Sequence, residues 1–117
     1  MGKLSTHVLD MVRGAPAKSM RFDLTRIDAK APVPLASAST NADGRTDSAL
    51  LTGDALVAGT YELAFHVAEY FAATATPQGD PPFLDVVTLR FTVADPQANY
   101  HVPLLVTPWG YSTYRGS

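Results

Sequence analysis

The feature that most narrows the possible folds is a two-residue alternation of apolar and polar side chains that recurs from end to end. Leu4, Thr6 and Val8 alternate with Ser5, His7 and Leu9. Met20, Phe22 and Leu24 alternate with Arg21, Asp23 and Thr25. Tyr61, Leu63 and Phe65 alternate with Glu62, Ala64 and His66, and Val87, Leu89, Phe91 and Val93 with Thr88, Arg90 and Thr92. Such a period puts one side of each segment in a core and the other in water, which is the mark of half-buried β-strands. Breakers separate these runs: Gly14-Ala-Pro16, Asn41-Ala-Asp-Gly44, the Thr76–Pro82 loop and Asp95-Pro96. Ala31-Pro-Val-Pro34 reads as a linker because proline lacks the N–H a central strand needs. Leu35–Thr40 reads as a weak strand of small residues.

The period changes once. Val67, Tyr70, Phe71 and Thr74 are spaced for one helical face in an alanine-rich stretch that stops before Pro77, so one short helix is expected over Val67–Ala75. The expected fold class is all-β: a Greek-key β-sandwich of seven to eight strands with one short helix, forming a single domain over residues 1–117. At 117 residues the chain can bury a core without disulfides, and it has no cysteine. A net charge of −2 gives no electrostatic case for nucleic acid or an anionic membrane. Neither a secretory leader nor a spanning apolar run precedes the first strand, so a cytoplasmic location is expected.

The C-terminal run is the most informative. His101–Thr107 alternates, with Val102, Leu104 and Val106 on one face and His101, Pro103, Leu105 and Thr107 on the other. Pro103 requires an edge or an irregularity, Pro108-Trp109-Gly110 turns the chain, and Tyr111–Tyr114 returns as a strand. Both Leu104 and Leu105 are assigned to the core, and Trp109 to turn or interface packing. Each of His7 and His101 shares its face with a hydroxyl, and Arg45 leaves the Asn41–Gly44 turn. Taken alone, these histidines are surface or hydrogen-bonded groups, and Arg45 a solvated cation.

Read together, His101-Val-Pro-Leu-Leu105, the terminal Tyr111-Ser-Thr-Tyr-Arg-Gly-Ser117, Leu4-Ser-Thr-His-Val-Leu-Asp10 and Gly44-Arg-Thr-Asp47 resemble the transthyretin-related 5-hydroxyisourate hydrolases of purine degradation. The resemblance implies the transthyretin-like sandwich and a homotetramer built as a dimer of dimers. It implies hydrolytic opening of 5-hydroxyisourate, with no metal and no organic cofactor. It also implies catalytic roles for His7, Arg45, His101 and Ser117, with Tyr114, Arg115 and Gly116 binding substrate. Thr107 stands where that family has serine, a change that keeps the hydroxyl. Two other classes compete: a transthyretin-like carrier of an aromatic ligand, and an interaction sandwich without chemistry. A zinc site made from His7, His66 and His101 is a weaker third, with His66 read as structural.

Overall fold

A computed structural model describes residues 1–117. Two sheets face each other. The first contains β1 (Lys3–Asp10), β2 (Ala15–Pro16), β5 (Leu51–Thr52), β8 (Tyr100–Thr107) and β9 (Gly110–Ser112), ordered β2-β1-β8-β9 with β5 pairing β1. The second contains β3 (Arg21–Ile27), β4 (Pro32–Ser39), β6 (Gly59–His66) and β7 (Val86–Val93), ordered β4-β3-β6-β7. The single helix α1 (Val67–Ala73) follows β6 directly. None of its kind here is long and apolar enough to cross a membrane.

Alternation sets which side chains meet between the sheets. Leu4, Val8, Phe22, Leu24, Tyr61, Leu63, Phe65, Val87, Leu89, Val102, Leu104 and Val106 all point inward and are buried. Val67, Tyr70 and Phe71 bring one face of α1 into that core. Asp10 is the buried charge among them. One carboxylate oxygen accepts from the N–H groups of Val12 and Arg13, and the other from the Tyr70 hydroxyl at 2.8 Å. This ties the end of β1 to α1 and leaves no lone carboxylate unsatisfied.

Several expectations are corrected. The Ala31–Pro34 segment is not a linker: Pro32 and Pro34 lie in β4, an outer strand pairing only with β3, where a missing N–H on the open side removes no ladder bond. The returning C-terminal strand ends at Ser112, short of Tyr114. Leu104 is fully buried, but Leu105, one residue on, faces outward and is only half-buried, as a period of two demands. The strand expected after the Thr76–Pro82 loop starts only at Val86, so Phe83–Asp85 extend that loop, and α1 ends at Ala73. The strands outnumber the expected seven to eight because two-residue pairings at β2 and β5 carry too few residues to form a pattern.

Candidate active site

The outer face of the first sheet brings the two motif histidines together. β1 and β8 run parallel, with Ser5 opposite His101, His7 opposite Pro103 and Leu9 opposite Leu105. Side chains on this face therefore include Ser5, His7 and His101, and the two imidazole centroids are 6.5 Å apart.

The third member comes from a loop docked on β1. Asn41 organises it: its side-chain oxygen accepts from the N–H groups of Asp43 (2.9 Å) and Arg45 (3.1 Å), and its amide donates to Asp47. Gly44 lies against the strand, its carbonyl accepting from Val8 N–H at 2.7 Å. Its φ is +74°, and a Cβ there would stand 2.3 Å from the Val8 carbonyl oxygen, so only glycine allows this approach. The docking brings the Asp43 carbonyl to 2.9 Å from His7 Nε2. A carbonyl only accepts, so the proton of that bond sits on Nε2 and neutral His7 keeps its lone pair on Nδ1. Arg45, next along, lines an open depression of about 200 Å³ with Lys3, Ser5, Thr46 and Ser48, and its guanidinium takes part in none of the ion pairs.

His101 is half-buried, and its Nδ1 lies 2.9 Å from Ser5 Oγ. Burial first, then the positive charges of Arg45 and His7, hold its pKa below the usual histidine value. The ring is thus kept neutral, and able to accept a proton, at pH values where a solvated histidine begins to charge.

The chain end crosses beside His101. Gly116 N–H donates to the His101 carbonyl at 2.7 Å and its carbonyl accepts in return at 3.2 Å. A Cβ on Gly116 would lie 3.0 Å from His101 Cβ, so the backbone passes close over the histidine. The β8–β9 register at Leu105–Ser112 is the same as at His101–Gly116, which would set Pro103 against Tyr114. Pro103 has no N–H to offer there. The Thr113 hydroxyl instead donates to the Pro103 carbonyl, and Tyr114 leaves the ladder.

Of the expected residues, His7, Arg45 and His101 gather on one face, with Gly116 alongside and exposed Ser117 following it. Tyr114 and Arg115 do not join them. They line a separate cavity of about 410 Å³ with Tyr100 and Val102, which point to the opposite side of β8. The Arg115 guanidinium sits 4.6 Å above the Tyr100 ring and donates to the Asn99 carbonyl. His66 is on the outer face of the other sheet, bonded to Asp23 at 2.9 Å, so it cannot form one site with His7 and His101. Serine's hydroxyl on Asp23 (from Ser37) and His66 hold that carboxyl below its ordinary pKa. Sequence reasoning missed Asn41, the Asp43 carbonyl and the specific part of Ser5. Ser5 left a signal in its place on the face of His7, and Asn41 and Asp43 in the turn-forming composition of Asn41–Gly44.

The HIUase/Transthyretin family matches residues 4–116. A Deinococcus radiodurans protein named 5-hydroxyisourate hydrolase is 57% identical over 97% of this chain and 95% of its own. The structure of Klebsiella pneumoniae 5-hydroxyisourate hydrolase superposes with a TM-score of 0.82 at 32% identity, covering all of both chains. Sea bream transthyretin, solved in complex with thyroxine, superposes with a TM-score of 0.86 at 27% identity over 97% of this chain and 94% of that one. The sandwich is therefore transthyretin-like, and the chain belongs to the HIUase/Transthyretin family.

Proposed function

We propose that the protein is a 5-hydroxyisourate hydrolase, opening the six-membered ring of its substrate to 2-oxo-4-hydroxy-4-carboxy-5-ureidoimidazoline on the route from urate to allantoin. The observation that carries this reading is a neutral, half-buried His101 beside an unpaired Arg45 and a second histidine. The relatives' names supply the substrate.

The chemistry follows from those groups. A carbonyl-rich planar heterocycle docks against Arg45, whose rigid fork of donors matches adjacent acceptors. His101 takes a proton from water as the water oxygen attacks a ring carbonyl, and such a base contributes about 10²–10⁴ in rate. Arg45 stabilises the negative charge that collects on the carbonyl oxygen. As the tetrahedral intermediate collapses, the ring C–N bond breaks and the protonated His101 returns its proton to the departing nitrogen. His7, anchored by the Asp43 carbonyl, offers Nδ1 to the substrate or to the attacking water. Ser117 and its carboxylate, reached through Gly116 beside His101, complete the wall.

We further infer a homotetramer, arranged as a dimer of dimers. Leu9 and Leu105 face each other on the outer side of the first sheet, where polar residues are ordinary. Met11, Val12 and Trp109 are exposed on adjoining turns, joined by Met11 N–H donating to the Val106 carbonyl. A second copy seated there would cover this apolar strip and enclose the histidines.

The carrier reading draws on the transthyretin likeness. One pair of experiments separates the two. Mixed with 5-hydroxyisourate freshly made from urate by urate oxidase, the protein is expected to speed ultraviolet decay beyond the uncatalysed control, and calorimetry with thyroxine to give no heat. Thyroxine binding without acceleration would transfer the assignment to a carrier.

A further inference from the structure

The imidazole of His101 has one protein partner, and it is a hydroxyl. Ser5 Oγ lies 2.9 Å from Nδ1, while Nε2 has no protein hydrogen bond. The pairing is built into the sheet, since Ser5 and His101 are register partners of the parallel β1–β8 ladder and their side chains leave the same face. Gly116 closes on the Cβ–Cδ2 edge of the ring. One nitrogen is therefore held, with the Gly116 backbone close beside one edge of the ring.

A hydroxyl can donate or accept, unlike the Asp43 carbonyl that fixes His7. The choice decides which nitrogen of His101 is basic. If Ser5 donated to Nδ1, the ring would present only an N–H at Nε2, in a ring whose charging Arg45 and His7 already oppose. If Ser5 accepts, Nε2 carries a lone pair, which a positive surrounding favours over a proton. We propose that Ser5 is a positioning residue whose hydroxyl oxygen accepts the Nδ1–H of His101, fixing the ring plane and leaving Nε2 as the proton acceptor. The kinetic consequence rests on the hydrolase reading; the tautomer itself does not.

The test is a nitrogen NMR titration of His101 in the full-length wild type, Ser5→Ala and Ser5→Thr, with steady-state kinetics on 5-hydroxyisourate alongside. In the wild type the neutral ring is expected to carry its proton on Nδ1. An accepting hydroxyl stabilises the charged ring more than the neutral one, so Ser5→Ala should move the His101 pKa down and proton occupancy towards Nε2. A donating hydroxyl would stabilise only the neutral ring, and Ser5→Ala would then move the pKa up. The value of kcat/KM should fall about ten- to a hundred-fold in Ser5→Ala with KM nearly constant, the size expected for a misoriented base. Ser5→Thr, which suits a strand and keeps the hydroxyl, should stay within about threefold of wild type.

A wild-type ring protonated on Nε2, an upward shift in Ser5→Ala, or a Thr variant as impaired as the Ala variant would overturn the assignment. If no form hydrolyses 5-hydroxyisourate while the tautomer and the downward shift appear as expected, the hydrolase reading fails and the Ser5 assignment stands.

Discussion

Gly44→Ala should be damaging in a way that its companion Gly14→Ala is not. Both glycines have left-handed backbone, with φ of +74° and +65°. A side chain at either position meets the left-handed penalty, roughly 1–2 kcal/mol. Nothing lies within 4 Å of a Cβ built at Gly14, so the cost there ends with the backbone. At Gly44 the new carbon would stand 2.3 Å from the Val8 carbonyl oxygen, and the loop must lift off β1. Lifting breaks the 2.7 Å bond from Val8 N–H to the Gly44 carbonyl and leaves a buried donor without a partner, a further cost of about 1–3 kcal/mol. Urea unfolding at one fixed protomer concentration should therefore give about 1–2 kcal/mol for Gly14→Ala and about 2–5 kcal/mol for Gly44→Ala. The same displacement withdraws the Asp43 carbonyl from His7 and moves Arg45. Activity on 5-hydroxyisourate should drop on the order of a hundredfold in Gly44→Ala and hold in Gly14→Ala. Equal destabilisation of the two variants, or full activity in Gly44→Ala, would refute the idea that this close approach aims the site.

Other outcomes follow from the same geometry. Arg45→Ala should lose about 10²–10³ in kcat, and Arg45→Lys should recover only part, because an ammonium lacks the planar fork. Burial, Arg45 and His7 depress the His101 pKa, so the acid limb of kcat/KM should lie below the ordinary 6.5; removing the Arg45 charge should shift that limb to higher pH. Burial and then Asp10 push Tyr70 up to about 12, a raised folded-state value. Its stabilising contribution is thus complete below the unfolded value near 10 and lost as pH rises through about 12. Tyr70→Phe should abolish that dependence in alkaline melts and cost about 1–3 kcal/mol at neutral pH by orphaning an oxygen of buried Asp10. Leu105→Glu, on a half-exposed outward position, should leave the protomer folded while sedimentation reports loss of the tetramer.

The strands were readable because each has one buried face, and alternation records burial directly. Phe22 and Leu24, Tyr61 to Phe65, and Val87 to Val93 needed no knowledge of their partners. Pairing is different. Nothing local in Leu4–Asp10 says that its neighbour is a parallel strand almost a full chain length away, yet that pairing alone makes Ser5, His7 and His101 neighbours. The Pro32-Val-Pro34 segment was misjudged because proline is incompatible with a central strand but indifferent to an outer one. Arg45 was accessible through its turn and its resemblance, but its aim depends on Gly44 meeting the Val8 carbonyl, a tertiary contact. The direction taken by Tyr114 and Arg115 depends on Pro103 refusing a ladder bond across the sheet, and on Tyr100 offering its ring to the guanidinium.

The most direct test compares wild type, His101→Asn and Arg45→Ala in the decay of freshly generated 5-hydroxyisourate, each beside the uncatalysed reaction and each verified as folded. The account predicts rapid decay with wild type and, at matched concentration after subtracting the uncatalysed reaction, a catalysed rate lower by about 10²–10⁴ with His101→Asn and about 10²–10³ with Arg45→Ala. Wild-type rates in both folded variants would contradict it, because the chemistry would then belong to some other part of the molecule.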